Sequence, residues 1–150
     1  MNVLGFDTST AATSACVLRS DGEAFEVIPE TEALTRPPGH ARALMPAIAT
    51  VTERAGVALD GLHAIAVGTG PGTFTGLRIG VATARALAGA LDVPIHPVSS
   101  LAALAAGIDG SRTHVVRALH VCRLAAHVSS TPPEAVVPTY LRAPDAQPTA

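Results

Sequence analysis

A glycine-rich loop set between an apolar strand and an apolar helix restricts the fold of this chain more than any other feature. Residues 68–85 read GTGPGTFTGLRIGVATAR, with four glycines and one proline in the first nine residues. Residues 63–67 before the loop predict a buried strand. The helix after it has an apolar face made of Leu77, Val81, Ala84, Ala88 and Leu91. This order of elements is typical of an α/β fold.

Loops of this kind often bind phosphate, but the two common versions do not fit. A Walker loop needs a G-x-x-x-x-G-K-[ST] pattern, and this chain contains no lysine. A dinucleotide fingerprint is broken at Thr73 or Thr75, depending on which glycine begins the count, and Asp92 precedes the next strand instead of ending it. The backbone amides of Gly70 and Gly72 near the helix N-terminus are left as candidate anion contacts.

Small residues recur along the helix that follows the loop. Gly76, Gly80, Ala84 and Ala88 are spaced four apart and form a smooth ridge. Such a ridge permits close approach of another helix, with the crossing geometry of i±4 packing. The pattern therefore predicts a helix-on-helix contact, either inside the fold or with a partner.

The remaining elements alternate between strands and helices. Residues 2–6, 13–18 and 24–28 predict a β-meander, and 94–98 a further strand. Residues 40–55 predict a helix with an apolar stripe, and Pro46 predicts either a kink in this helix or a late start of it. Ser99-Ser100 should cap a further helix that runs to about residue 106. Residues 113–128 fit a strand or a helix, and 135–142 a short extended run. The stripe of the first helix consists of Leu44, Ile48, Val51 and Ala55.

Composition and charge exclude several classes of function. The net charge is −2, and the sequence has no basic stripe of the kind that an autonomous nucleic-acid binder carries. The six histidines contain no i, i+4 pair, which argues against a helical metal site and against a metal-dependent protease or transferase. We expect Cys16 and Cys122 to be reduced core thiols and His40 to be a surface or capping residue. No signal peptide or membrane span is evident, and we expect a cytoplasmic protein.

Taken together, five segments resemble the TsaB (YeaZ) family of the tRNA threonylcarbamoyladenosine machinery. They are VLGFDTSTAATSACVL, GHARALMP, GTGPGTFTGLRIGVATARALA, PVSSLAALA and VVPTYLR, which together span residues 1–106 almost continuously and 136–142. The family usually reads GPGSFTGLRIG, and Thr73 replaces the serine here. The resemblance implies a glycoprotease-like, actin-like ATPase (ASKHA, ribonuclease H-like) α/β fold.

The resemblance also implies a role. Members of this family are regarded as non-catalytic subunits that dimerise with the TsaD transferase, which modifies the tRNA adenosine beside the anticodon. A TsaE-like ATPase joins them, and tRNA is reached only indirectly. The chain is then expected to have no cofactor of its own, while ATP with a metal ion could act in the assembled complex. The turn that holds phosphate in active superfamily members is here Asp7-Thr8-Ser9-Thr10, without the usual glycine.

Candidate site residues follow from the same comparison. Anion or nucleotide contacts are expected from Asp7, Thr8, Ser9, Gly70 and Gly72, although a lone carboxylate in a turn commonly bonds only its own backbone. No catalytic or metal-binding residue is assigned. The partner interface is expected on the first two helices, at Leu44, Ile48, Val51, Leu77, Gly80, Val81, Ala84 and Ala88.

The chain departs from the family in its second half. Residues 1–106 match the first actin-like lobe, residues 107–135 are expected to be a shortened remnant of a largely missing second lobe, and residues 136–150 an extended segment and tail. Two functions stay open: the assembly subunit described above, and a small nucleotide-binding ATPase or kinase-like enzyme. A homodimer through the same helices is expected when the partner is absent.

Overall fold

The computed structural model describes residues 1–28, 39–107 and 116–140. A five-stranded mixed sheet forms its centre, with strand order β3-β2-β1-β4-β5. The first three strands are antiparallel, and β4 and β5 run parallel to β1. The strands are β1 (Val3–Asp7), β2 (Ser14–Leu18), β3 (Ala24–Val27), β4 (Ala64–Gly68) and β5 (Ile95–Val98).

Within the described ranges, four helices cover the two faces of this sheet. They are α1 (His40–Ala55), α2 (Phe74–Leu91), α3 (Ser100–Ala106) and α4 (Ala118–Ala125), and single 3₁₀ turns lie at Leu59–Gly61 and Pro133–Ala135. Helices α1 and α2 pack on one face and α4 with α3 on the other. None of the helices in the described part of the chain is long and apolar enough to cross a membrane.

The predicted order of elements is confirmed, and so are most of the element boundaries. Helix α1 spans residues 40–55 as predicted and ends at Gly56, whose φ of 63° is the left-handed conformation that glycine favours. The Ser99 hydroxyl accepts a hydrogen bond from the Ala102 amide and caps α3. The late start expected from Pro46 is wrong, because α1 begins six residues earlier, at His40.

The second half of the chain settles the ambiguous elements. Residues 118–125 are helical, and their inner face packs against β1 and β2. Both cysteines are buried in this contact and form no disulfide, in agreement with the prediction of core thiols. The extended run expected at 135–142 begins with a residue of a 3₁₀ turn, and residues 136–140 add no strand to the sheet. Residues 141–142 lie outside the described residues.

Candidate functional site

The parallel pairing of β1 and β4 brings two loops to one edge of the sheet. Strand β1 ends at Asp7 and strand β4 at Gly68, and a side chain added at Gly68 would overlap the Asp7 carboxylate. The turn after β1, residues 7–10, and the glycine loop after β4, residues 68–76, therefore lie against each other. We call this region the Asp7 site.

Asp7 is almost wholly buried, with 1% of its surface exposed, and its carboxylate is held by two serines. Ser9 donates to Oδ1 from its amide at 2.8 Å and from its hydroxyl at 2.6 Å. Ser100 donates to Oδ2 at 2.6 Å. Burial raises the pKa of Asp7 above its ordinary value, and the donors from Ser100 and Ser9 oppose that rise.

The glycine loop packs directly on the backbone of the first turn. The Thr73 amide donates to the Ser9 carbonyl at 2.8 Å, and the Thr8 hydroxyl donates to the Gly76 carbonyl at 2.7 Å. A Cβ atom at Gly72 would overlap the Ser9 carbonyl, and one at Gly76 would overlap the Thr8 carbonyl. The glycines at these two positions are required by this close approach.

Ser100 and residues 136–140, which we call the C-terminal segment, contact the other side of the loop. The Gly70 amide donates to Ser100 Oγ at 3.1 Å, and the Ser100 amide donates to the Gly70 carbonyl at 2.8 Å. The Thr139 amide donates to the Thr69 carbonyl at 2.6 Å. Sequence reasoning missed Ser100 as a member of this site, because its position suggests only the start of a helix.

His40 lies beside the Asp7 site and is buried, so its prediction as a surface or capping residue is wrong. Its Nδ1 atom is 2.7 Å from the Thr13 hydroxyl, while Nε2 has no hydrogen-bond partner within the described residues. Burial lowers the pKa of His40, and the Thr10 carbonyl and the Asp7 charge oppose that lowering. The ring lies close to Gly76, since a Cβ atom at that glycine would be 3.2 Å from His40 Cδ2.

The predicted anion contacts are thus brought together, but their polar groups bond one another. Asp7, Thr8 and Ser9 are all buried, and the Gly70 amide already donates to Ser100. No group of three or more His, Cys, Asp or Glu side chains that could hold a metal ion occurs among the residues that the structure describes. The arrangement joins two loops and a helix, and a nucleotide contact there stays a prediction.

Comparison with known proteins identifies the family. The model of the family described as "TsaD: tRNA N6-adenosine threonylcarbamoyltransferase" matches residues 27–122. The chain is 39% identical over 106 residues to the tRNA threonylcarbamoyladenosine biosynthesis protein TsaB of Bacillus subtilis, covering 71% of this chain and 44% of that protein. The chain belongs to the TsaB (YeaZ) proteins of this family.

Two solved structures support the fold of this TsaB-family chain. YeaZ from Pseudomonas aeruginosa is 42% identical, with a TM-score of 0.63 over 70% of this chain and 48% of that one. An uncharacterized protein with similarity to peptidase YEAZ from Pseudomonas aeruginosa is 25% identical, with a TM-score of 0.79 over 94% of this chain and 99% of that one. The chain spans less than half the length of the curated TsaB relatives it matches, whereas the second structure aligns along nearly all of both chains.

The eight residues predicted for a partner interface all lie in the interior of this TsaB-family protein. Each is buried, and seven of them belong to its own hydrophobic core or line it. The eighth, Gly80, faces Thr8, since a Cβ atom there would overlap the Thr8 hydroxyl. Gly76 and Gly80 thus contact the turn that contains Thr8, whereas the sequence predicts that the ridge contacts a helix. These residues position α1 and α2 and do not form their outer surface.

The outer faces of the same helices carry a different set of small and apolar residues. Their spacing of three and four places them on one stripe of each helix. On α1 the stripe is exposed at Ala41, Met45 and Ala49, and on α2 at Ala82, Ala86 and Gly89.

Proposed function

We propose that this chain is a non-catalytic assembly subunit in tRNA threonylcarbamoyladenosine biosynthesis, and that it docks on a TsaD-type transferase through the outer faces of α1 and α2. Three of the matched relatives are named as TsaB biosynthesis proteins, and the matching family model is that of the transferase. A TsaE-like ATPase and tRNA would then be met only within the larger assembly.

The observation that carries this proposal is the self-contained bonding of the Asp7 site. In a nucleotide-using member of the superfamily, the carboxylate after the first strand must be free to meet a metal and phosphate. Here Asp7 accepts three hydrogen bonds from two serines of its own chain and is nearly inaccessible. The Thr8 turn fills the space that the glycines of the loop and of α2 leave open. This favours the assembly subunit over the small ATPase.

The outer faces of α1 and α2 suit a helical partner. Met45 has 49% of its surface exposed, and its neighbours along the stripe are alanines that allow close backbone approach. Without a partner, we expect the same faces to pair two copies of the chain.

Co-purification with the cognate TsaD-type protein tests the proposal. We expect the unmodified chain to co-purify and Ala86→Arg, on the outer face of α2, to abolish this. Ala102→Arg is the matched control, because Ala102 is also an exposed helical alanine but lies on α3, across the sheet. Thermal melting of both variants verifies that they fold.

Failure of the unmodified chain to bind the TsaD-type protein would overturn the assembly role. Equal binding by the Ala86→Arg variant would overturn the interface alone. Calorimetry with ATP and Mg²⁺ on the isolated chain separates the rival function, since micromolar binding would favour an ATPase or kinase-like enzyme.

A further inference from the structure

A shallow groove runs between the outer face of α2 and the C-terminal segment. Its volume is about 260 Å³, and it is lined by Arg78, Val81, Ala82, Arg85, Pro138 and Tyr140. The floor is apolar, and the polar groups at its rim are two guanidinium groups and a phenol. One of its lining residues, Ala82, belongs to the outer stripe of α2, so the groove continues the face proposed to dock on a partner.

Aromatic side chains hold one of the two arginines in place. The Arg78 guanidinium carbon lies 4.8 Å from the centre of the Phe74 ring, and the Phe74 and Tyr140 rings are 5.0 Å apart. Stacking of this kind restrains the guanidinium group without neutralising its charge. Among the residues that the structure describes, no hydrogen bond or ion pair occupies the guanidinium edge of Arg78, so this edge can bind a ligand.

The charge of the groove is uncompensated within the described residues. Helix α2 contains two arginines and no Asp or Glu, and none of the groove-lining residues is acidic. The ion pairs found in the described part of the chain involve only Arg19 and Arg117. Arg78 and Arg85 are both exposed and seven positions apart, which is two helical turns or about 10 Å along the axis.

The size of the groove selects among anionic ligands. Pockets for drug-sized molecules usually measure about 300–1,000 Å³ and enclose most of the ligand. This groove is smaller and open along one side of a helix. It suits individual side chains presented by another element better than it suits a whole nucleotide. Carboxylates are the protein groups that pair best with the planar fork of arginine.

We propose that this groove receives acidic side chains of a protein partner, two carboxylates about two helical turns apart on a helix that runs alongside α2. Arg78 and Arg85 each bind one carboxylate, and the apolar floor receives the methylene groups of the acidic side chains. The identity of that partner as the TsaD-type transferase rests on the proposed function, whereas the acidic chemistry of the surface rests on the groove itself.

The first experiment tests the acidic chemistry without any natural partner. The full chain, labelled with ¹⁵N, is titrated with a helical alanine-rich peptide of about 20 residues, a length at which an isolated helix is stable enough to form. The peptide carries two glutamates seven residues apart, matching the spacing of Arg78 and Arg85. The control peptide has glutamine at both positions. We expect resonance shifts at Arg78, Arg85 and Tyr140 with the glutamate peptide only.

The second experiment uses the complex with the cognate TsaD-type protein. We expect the double variant Arg78→Glu/Arg85→Glu to weaken its affinity about tenfold at low salt, with the difference shrinking as salt rises. Arg123→Glu is the matched control, because Arg123 is an exposed helical arginine on α4, on the other face of the sheet. This control should bind like the unmodified chain.

The outcomes separate this inference from the proposed function. Shifts confined to the groove, together with loss of affinity in the double variant alone, support both. If the groove responds to the glutamate peptide while the TsaD-type protein does not bind, the acidic surface stands and the proposed function falls. An equal response of the groove resonances to both peptides would overturn the inference. A response to inorganic phosphate or tRNA, with none to the glutamate peptide, would overturn it as well.

Discussion

Ser100 donates a hydrogen bond to Asp7 at 2.6 Å, although 93 residues separate the two in sequence. The same hydroxyl accepts from the Gly70 amide at 3.1 Å. One side chain at the start of α3 thus links the end of β1 to the loop between β4 and α2. Because all three groups are buried, losing this hydroxyl would leave two polar atoms without a partner.

Replacing Ser100 with alanine should therefore destabilise the chain. We expect the Ser100→Ala variant to lose about 1–3 kcal/mol of unfolding free energy, the usual cost of leaving buried groups unsatisfied. Urea unfolding followed by circular dichroism measures this. The exposed Ser130→Ala serves as the control and should change stability little. A Ser100→Ala variant as stable as this control would contradict a linking role for Ser100.

Two glycines in α2 should respond oppositely to alanine. Alanine normally stabilises a helix relative to glycine by about 1 kcal/mol, and Gly89 has open space around its position, so Gly89→Ala should gain about that amount. A Cβ atom at Gly76 would overlap the Thr8 carbonyl, so Gly76→Ala should instead lose about 1–3 kcal/mol. Denaturant midpoints of the two variants check the difference in sign. A stabilising Gly76→Ala would show that the turn does not approach α2 as described.

The carboxyl of Asp7 should make the chain less stable as pH rises. Its pKa is raised in the folded state, so between the ordinary carboxyl pKa and the raised value the folded chain binds more protons than the unfolded chain. The free energy of unfolding then falls as pH rises through that window. The Asp7→Asn variant keeps an acceptor for the Ser9 donors but cannot ionise, so this fall should be absent. Denaturant titrations from about pH 4 to about pH 7 compare the two proteins.

His40 should act in the opposite direction. Its pKa is lowered by burial, so below the ordinary histidine pKa of about 6.5 the unfolded chain binds a proton that the folded chain does not. Stability contributed by the neutral ring is present above that pH and is lost as pH falls toward the lowered value. The His40→Asn variant, which retains a polar partner for Thr13, should lose this dependence. An unchanged slope below pH 6.5 in that variant would contradict this prediction, because it would mean that the pKa of His40 is the same in the folded and unfolded chains.

The structure also changes the experiment that the sequence suggested for the interface. On the sequence alone, leucine at Gly80 or Ala84 of the small-residue ridge is the natural substitution for blocking a helical partner. Both residues are buried, and Gly80 already faces Thr8, so those substitutions would disturb the core of the chain itself. An alanine on the outer stripe, such as Ala86, tests the partner contact without that disturbance.

The order of strands and helices could be read from the sequence because its signals are local. Alternating and continuous apolar runs, the Gly56 terminus of α1 and the Ser99 cap of α3 each depend on residues only a few positions apart. The same local reading located the two loops of the Asp7 site, and the length of the matching motifs indicated the family.

Only the tertiary structure decided what those loops do. Whether the glycines bind phosphate or admit a turn depends on what lies opposite them, and Thr8 and Ser9 reach them through the parallel pairing of β1 with β4. Ser100 enters the site because β5 places the start of α3 beside that pair. Helical periodicity identified an apolar stripe, but the spacing of its residues is the same whether the stripe packs against a core or against a partner. The sheet beneath α1 and α2 determined that it faces the core.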